Sequence, residues 1–92
     1  MTPQQLYEEI KPVLMAFQLS GLDIRDVFTG DPTIRGENAV CFTVRRQNRT
    51  PTFCIIYIAE DGVIADIVNR FRCPFSDVSR FLAEEMRKFH DS

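Results

Sequence analysis

The sequence predicts an α+β protein: a four-stranded antiparallel β-meander flanked by an N-terminal and a C-terminal α-helix. Three observations carry that prediction. Apolar residues recur at spacings of three and four near both ends of the chain, β-branched and aromatic runs lie between them, and Gly, Asp and Pro punctuate those runs. The order is helix, four strands, helix, in one domain spanning residues 1–92.

Thr2, Pro3 and Gln5 match a helix start, with Thr2 as N-cap, Pro3 in the first turn and Gln5 completing a capping box. Leu6, Ile10, Val13, Leu14 and Phe17 then form one apolar stripe, with Glu8, Glu9 and Lys11 off it. Pro12 removes a backbone donor and crowds the preceding turn, so a kink or restart is expected at residues 11–12. The helix should end before Gly21.

Residues 22–29 alternate loosely, and Gly30, Asp31 and Pro32 signal a turn, which predicts an edge strand. Residues 39–46, 51–59 and 63–72 read as the three further strands. Asp61-Gly62 suits a two-residue hairpin turn, and Cys73-Pro74 ends the sheet. Ser76 is placed to cap the last helix, whose buried stripe is Val78, Phe81, Leu82, Met86 and Phe89. Asp77 with Arg80, Arg80 with Glu84 and Glu84 with Lys88 stand at helical pair spacings on its wet side.

With Gln47-Asn48 as a two-residue turn, Phe42 faces Phe53, Val40 faces Ile55 and Cys41 faces Cys54. A turn at Asp61-Gly62 sets Tyr57 opposite Asp66 and Phe53 opposite Arg70. One face then holds Cys41, Cys54, Ile56, Ile58, Ala65, Ile67 and Phe71, suited to packing under the helices. The other carries Val40, Phe42, Phe53, Ile55, Tyr57, Ile64 and Val68, with Asp66, Arg70 and Arg72 beside them. That second face is too apolar to lie bare in water, which predicts a contact surface, as a partner platform or as a homodimer face.

Composition bounds the function. Hydrophobic content of 45% and charged content of 26% are those of an ordinary globular protein. No basic region followed by an apolar stretch opens the chain and no run is long enough to span a membrane, so a cytoplasmic protein with no membrane partner is expected. The net charge of −2 is unevenly spread: residues 1–34 carry −3, residues 35–58 carry +3 and residues 59–92 carry −2. Nine of the eleven basic residues are arginine, the side chain that forms forked bonds to phosphate or carboxylate and stacks on flat rings.

The middle segment concentrates this charge at the tip between the second and third strands. Arg45, Arg46 and Arg49, with Gln47 and Asn48 between them, bring three fixed charges and two amides to one loop; Arg35, Arg70 and Arg72 are further candidates. Such a loop suits the backbone of a nucleic acid or an acidic groove on a protein, with Phe42, Phe53 and Tyr57 as a possible interface behind it. The acidic remainder argues for a specific protein or nucleoprotein partner rather than sequence-blind nucleic-acid binding.

No chemistry of another kind is legible. Cys41, Cys54 and Cys73 show no CxxC spacing beside a single histidine, which predicts buried free thiols, no zinc site and no cofactor. Cys73 and His90 stand at opposite ends of one helix of about fourteen residues, some 20 Å long, so they form no dyad within the chain. Glu8/Glu9, Glu60/Asp61 and Glu84/Glu85 are neighbours that face apart rather than paired catalytic carboxylates. A non-enzymatic protein is expected.

The helix, meander and helix order resembles the double-stranded-RNA-binding domain, from which it departs in strand number and at Ser76-Asp77-Val78-Ser79-Arg80, where that family starts its last helix with lysines. In size, single-domain build and an arginine hairpin on an acidic body, the chain resembles the small phage-encoded anti-CRISPR inhibitors, some of which bind type I surveillance complexes. That resemblance implies a stoichiometric inhibitor or adaptor docking on a nucleoprotein. Those inhibitors share no motif, so it assigns no residue.

Overall fold

The structure, a computed structural model, describes residues 1–31 and 36–91. It is an α+β arrangement of helix α1 (Pro3–Leu19), strands β1 (Asp23–Asp31), β2 (Gly36–Arg45), β3 (Thr52–Ala59), β4 (Gly62–Asp66) and β5 (Arg70–Cys73), and helix α2 (Val78–Asp91). The strands form one antiparallel sheet in the order β1-β2-β3-β4-β5. Pro32 of the expected turn and Arg35 lie outside the described residues.

The ends of α1 follow local chemistry. Thr2 Oγ1 accepts from the Gln5 N–H while the Gln5 side chain accepts from the Thr2 N–H, closing the capping box. At the other end Leu22 N–H reaches the Phe17 carbonyl and Gly21 N–H the Gln18 carbonyl, a Schellman motif that needs the left-handed backbone Gly21 adopts at φ +105°. Between them the helix runs through Pro12 without a restart. Leu6, Ile10 and Leu14 are buried on both sides of the proline, and this packing holds the helix across the missing donor.

The expected fourth strand is two strands. Ile67, Val68 and Asn69 reverse the chain so that Asp66 pairs with Arg70 and Val63 with Cys73. The reversal is fixed from outside: Asn69 N–H donates to Glu85 Oε1 at 3.1 Å, and Glu85 Oε2 sits 2.5 Å from Lys88 Nζ. Glu85 is therefore a buried carboxylate, only 5% exposed, within the otherwise apolar stripe of α2. Lys88 pairs with this residue, not with Glu84. Ser76 is no cap of α2; it lies in a short 3-10 turn, Phe75–Asp77, that precedes the helix. Asp77 meets Arg80 at 3.6 Å, as expected.

Strand number decides helix direction. Ser79 Oγ donates to the Glu9 carbonyl at 2.9 Å and His90 Nε2 donates to the Ser20 carbonyl at 3.2 Å; both contacts span 70 residues. The helices thus run side by side in the same direction, as an odd number of antiparallel strands between them requires. Four strands would have set them antiparallel.

Registers differ from expectation in two ways. Between β3 and β4 the turn is Glu60-Asp61, with Ala59 opposite Gly62, so partners slide by two residues and every side chain keeps its face. Between β2 and β3, Val44 faces Thr52, Phe42 faces Cys54 and Val40 faces Ile56, a slip of one residue that moves β2 to the other face relative to β3. Val40 and Phe42 accordingly belong to the core under the helices with Ile24, Val44, Cys54, Ile56, Val63, Ala65, Leu82 and Met86. Cys41 lies on the opposite face from Cys54, and none of the three cysteines is in a disulfide.

At Gly62 the chain passes close to the backbone of β5. A Cβ there would stand 2.3 Å from the Cys73 carbonyl oxygen, a backbone atom that cannot swing aside. Gly62→Ala should therefore force β4 and β5 apart and lower the unfolding free energy by about 1–3 kcal/mol, read as a shifted denaturant midpoint. An unshifted midpoint would contradict the packing described.

Candidate functional site

The arginine tip is a turn closed by the Arg49 N–H on the Arg46 carbonyl at 3.0 Å, with Asn48 left-handed at φ +62°, as the third position of a type II turn requires. Gln47 and Asn48 form its exposed crest. The turn arms pair 46 with 49, yet the ladder pairs Val44 with Thr52, so one extra residue sits on the β3 side at Thr50-Pro51. Pro51 has no N–H to continue a tight hairpin ladder, and the chain absorbs the surplus there.

Consecutive in sequence, Arg45 and Arg46 take opposite sides of the sheet, and the slip decides which side each takes. Arg45 pairs with Asp23 across β1 and β2, on the side away from the helices. Its Nη2 stands 2.9 Å from Asp23 Oδ2, while Arg25 Nε stands 2.7 Å from Asp23 Oδ1. The Arg25 hydrogen bond, more than that of Arg45, holds the Asp23 carboxyl below its ordinary range, and Asp23 in turn raises the Arg25 guanidinium. The signal for this cluster was present in the sequence: Asp23 and Arg25 are two apart on a strand and share a face.

Arg46 and Arg49 turn to the helix side. Together with Val44, Thr50, Thr52 and Phe89 they line an open cleft of about 340 Å³ between the tip and the C-terminal end of α2. The cleft thus gathers two arginines and two threonines at one place. Thr50 belongs to the tip segment in the sequence itself, whereas the approach of Phe89 depends on the direction of α2 and has no local signal.

Arg70 and Arg72 lie at the other edge, on β5. Arg70 Nη1 is 3.8 Å from Asp66 Oδ2 and Arg72 Nη2 is 3.6 Å from Asp61 Oδ1. They share the face of Arg45 but not its neighbourhood, since β3 and β4 stand between.

The uncovered face between these edges is apolar. Paired positions place Phe28, Cys41, Ile55, Asp66 and Arg70 in one row, Ala39, Tyr57, Ile64 and Arg72 in the next, and Arg25, Thr43 and Phe53 in the row nearer the tip. Ala39, Cys41 and Ile55 are a buried floor, whereas Phe28 and Phe53 stand 44% and 45% exposed. Phe53 and Tyr57 thus belong to this face as expected. Phe42 does not: it is fully buried under the helices, a consequence of the one-residue slip. Phe28 joins the face because of a bulge in β1, where Asp26, left-handed at φ +56°, and Val27 together oppose Phe42.

Burial pushes the Cys54 thiol up to about 12, and burial first, then Asp77, pushes Cys73 up as well, the reverse of what a nucleophile requires. Among the described residues no three His, Cys, Asp or Glu side chains gather as metal ligands, and no helix is long and apolar enough to cross a membrane. No protein-family model, curated protein or solved structure matches the chain.

The unfolded chain ionises Cys54 near its ordinary value of 9.0 and the folded chain only near about 12, so the protonated thiol favours the fold below pH 9 and that preference disappears as pH rises through this window. Unfolding free energy should fall by about 1.4 kcal/mol per pH unit across it, and Cys54→Ala should flatten that slope. Denaturant titrations at stepped pH measure both; an equal slope in the variant would refute the assignment.

Proposed function

We propose that this chain is a non-enzymatic binding protein, a stoichiometric inhibitor or adaptor that docks on an anionic surface of a protein or nucleoprotein through the helix side of its arginine tip. One observation carries the reading: Arg46 and Arg49 line a single open cleft together with Thr50 and Thr52, on the helix side of the tip. A guanidinium pair beside hydroxyl donors matches the oxygens of phosphate or carboxylate, and such charge-assisted bonds contribute about 1.5–3 kcal/mol each.

The reading centres on Arg46 and Arg49, with Gln47 and Asn48 on the crest above them. The overall charge of −2 favours a docking site of limited extent over a basic footprint along a nucleic acid. Among protein classes the reading sits with inhibitors of the anti-CRISPR kind, whose target is a nucleoprotein assembly.

Pull-down from the native host, with and without nuclease, tests it. Wild-type protein should capture a partner that survives nuclease and is released as salt rises. Arg46→Ala with Arg49→Ala should weaken capture by about 100-fold with the circular dichroism spectrum unchanged, while Arg70→Ala with Arg72→Ala should retain it. Capture undiminished in the first double variant would refute the assignment.

A further inference from the structure

We infer that the uncovered sheet face seats a second copy of this chain, in a two-fold dimer separate from the tip cleft. The charges of that face gather at two diagonally opposed corners: Asp23, Arg25, Asp26 and Arg45 on β1 and β2 near the tip, and Asp61, Asp66, Arg70 and Arg72 around β4 and β5. Both corners mix signs. An anionic partner such as a nucleic-acid strand would press phosphates against four aspartates at once, and a cationic partner would meet four arginines.

A copy of the same face meets neither difficulty. In a two-fold contact, residue i of one copy meets residue j of the other and j meets i. A two-fold axis lying between the sheets and perpendicular to the diagonal sets each copy's tip-side corner on the other's β5-side corner, twice over. Each end then brings together two corners that carry both signs in equal number, so neither end accumulates like charge. The middle of the contact is apolar, with the half-exposed Phe28 and Phe53 rising beside the floor of Ala39, Cys41 and Ile55. An aromatic centre inside a charged rim is the usual anatomy of a stable interface.

Sideways growth of the sheet is the competing mode of self-association, and both edges resist it. β1 carries the Asp26 bulge, and β5 is only four residues long. Face-to-face contact remains, and it buries the two phenylalanines that the fold otherwise leaves in water.

Sedimentation equilibrium at about 1 and about 100 μM, which bracket a micromolar dissociation constant, tests the proposal. The wild type should reach twice its chain mass of 10.6 kDa at the higher concentration. Phe53→Asp should sediment as one chain with unchanged circular dichroism. Should that variant lose its fold, Arg72→Glu, a reversal on a side chain 65% exposed, decides instead and should weaken dimerisation at least 10-fold. A wild type of single-chain mass at both concentrations overturns the inference, whether or not it then captures nucleic acid on this face; so does a dimer that Phe53→Asp or Arg72→Glu leaves intact. Arg46→Ala with Arg49→Ala should stay dimeric, so this inference and the tip reading fail separately.

Discussion

One surplus residue beside Pro51 decides which side chains the molecule hides and which it shows. Side chains alternate along a strand, so adding a single residue between the 46–49 turn and the ladder exchanges the faces of an entire strand. Here the exchange sends Val40, Phe42 and Val44 beneath the helices and Ala39, Cys41 and Thr43 outward. The result is economical in packing: the bulkiest side chain of β2 fills the core, while two of its smallest form the floor of the uncovered face. Had the tight two-residue turn prevailed, Phe42 would stand in solvent and Cys41 would leave a gap beneath α1 and α2.

The same displacement assigns the charges to their sides. Adjacent arginines on a strand take opposite sides in any register, and the slip turns Arg45 away from the helices and Arg46 toward them. Arg45 is drawn into a carboxylate cluster with Arg25. Arg46 and Arg49 line a cleft with Thr50 and Thr52. A charged loop that reads as one feature in one dimension is two surfaces in three. Two contacts can then coexist without competing for residues.

Much of the fold is legible in the sequence because its signals are local. Thr2, Gln5 and Gly21 set the limits of α1 through bonds within a few residues, and the stripes of both helices follow from spacing alone. Faces along β3 and β4 are also recovered, because sliding by an even number of residues preserves them. The features that escape are those settled at a distance. Ile67, Val68 and Asn69 contain neither Gly nor Pro, and their reversal is fixed by Glu85, sixteen residues on, in a helix whose stripe hides an acid among apolar neighbours. The β2–β3 register fails for a related reason: Gln47-Asn48 is the centre of the turn, but the effect of Pro51 on the ladder is not written in the turn itself. Of the candidate site, the arginines are visible in the sequence, but which of them turns toward the helices depends on the register.

The side-by-side helices have an electrostatic consequence. Peptide dipoles in α1 and α2 add instead of cancelling, so two partial negative ends, each equivalent to roughly half an elementary charge, emerge together where Ser20 meets His90. Phe89, one residue before His90, lines the tip cleft, so this negative pole lies close to Arg46 and Arg49. The pole damps the potential that the tip projects into solvent and leaves the contact strength of the guanidiniums at short range. Under the proposed binding role, such a tip would draw anions weakly from afar and rely on short-range bonds, which favours discrimination between partners over speed of capture.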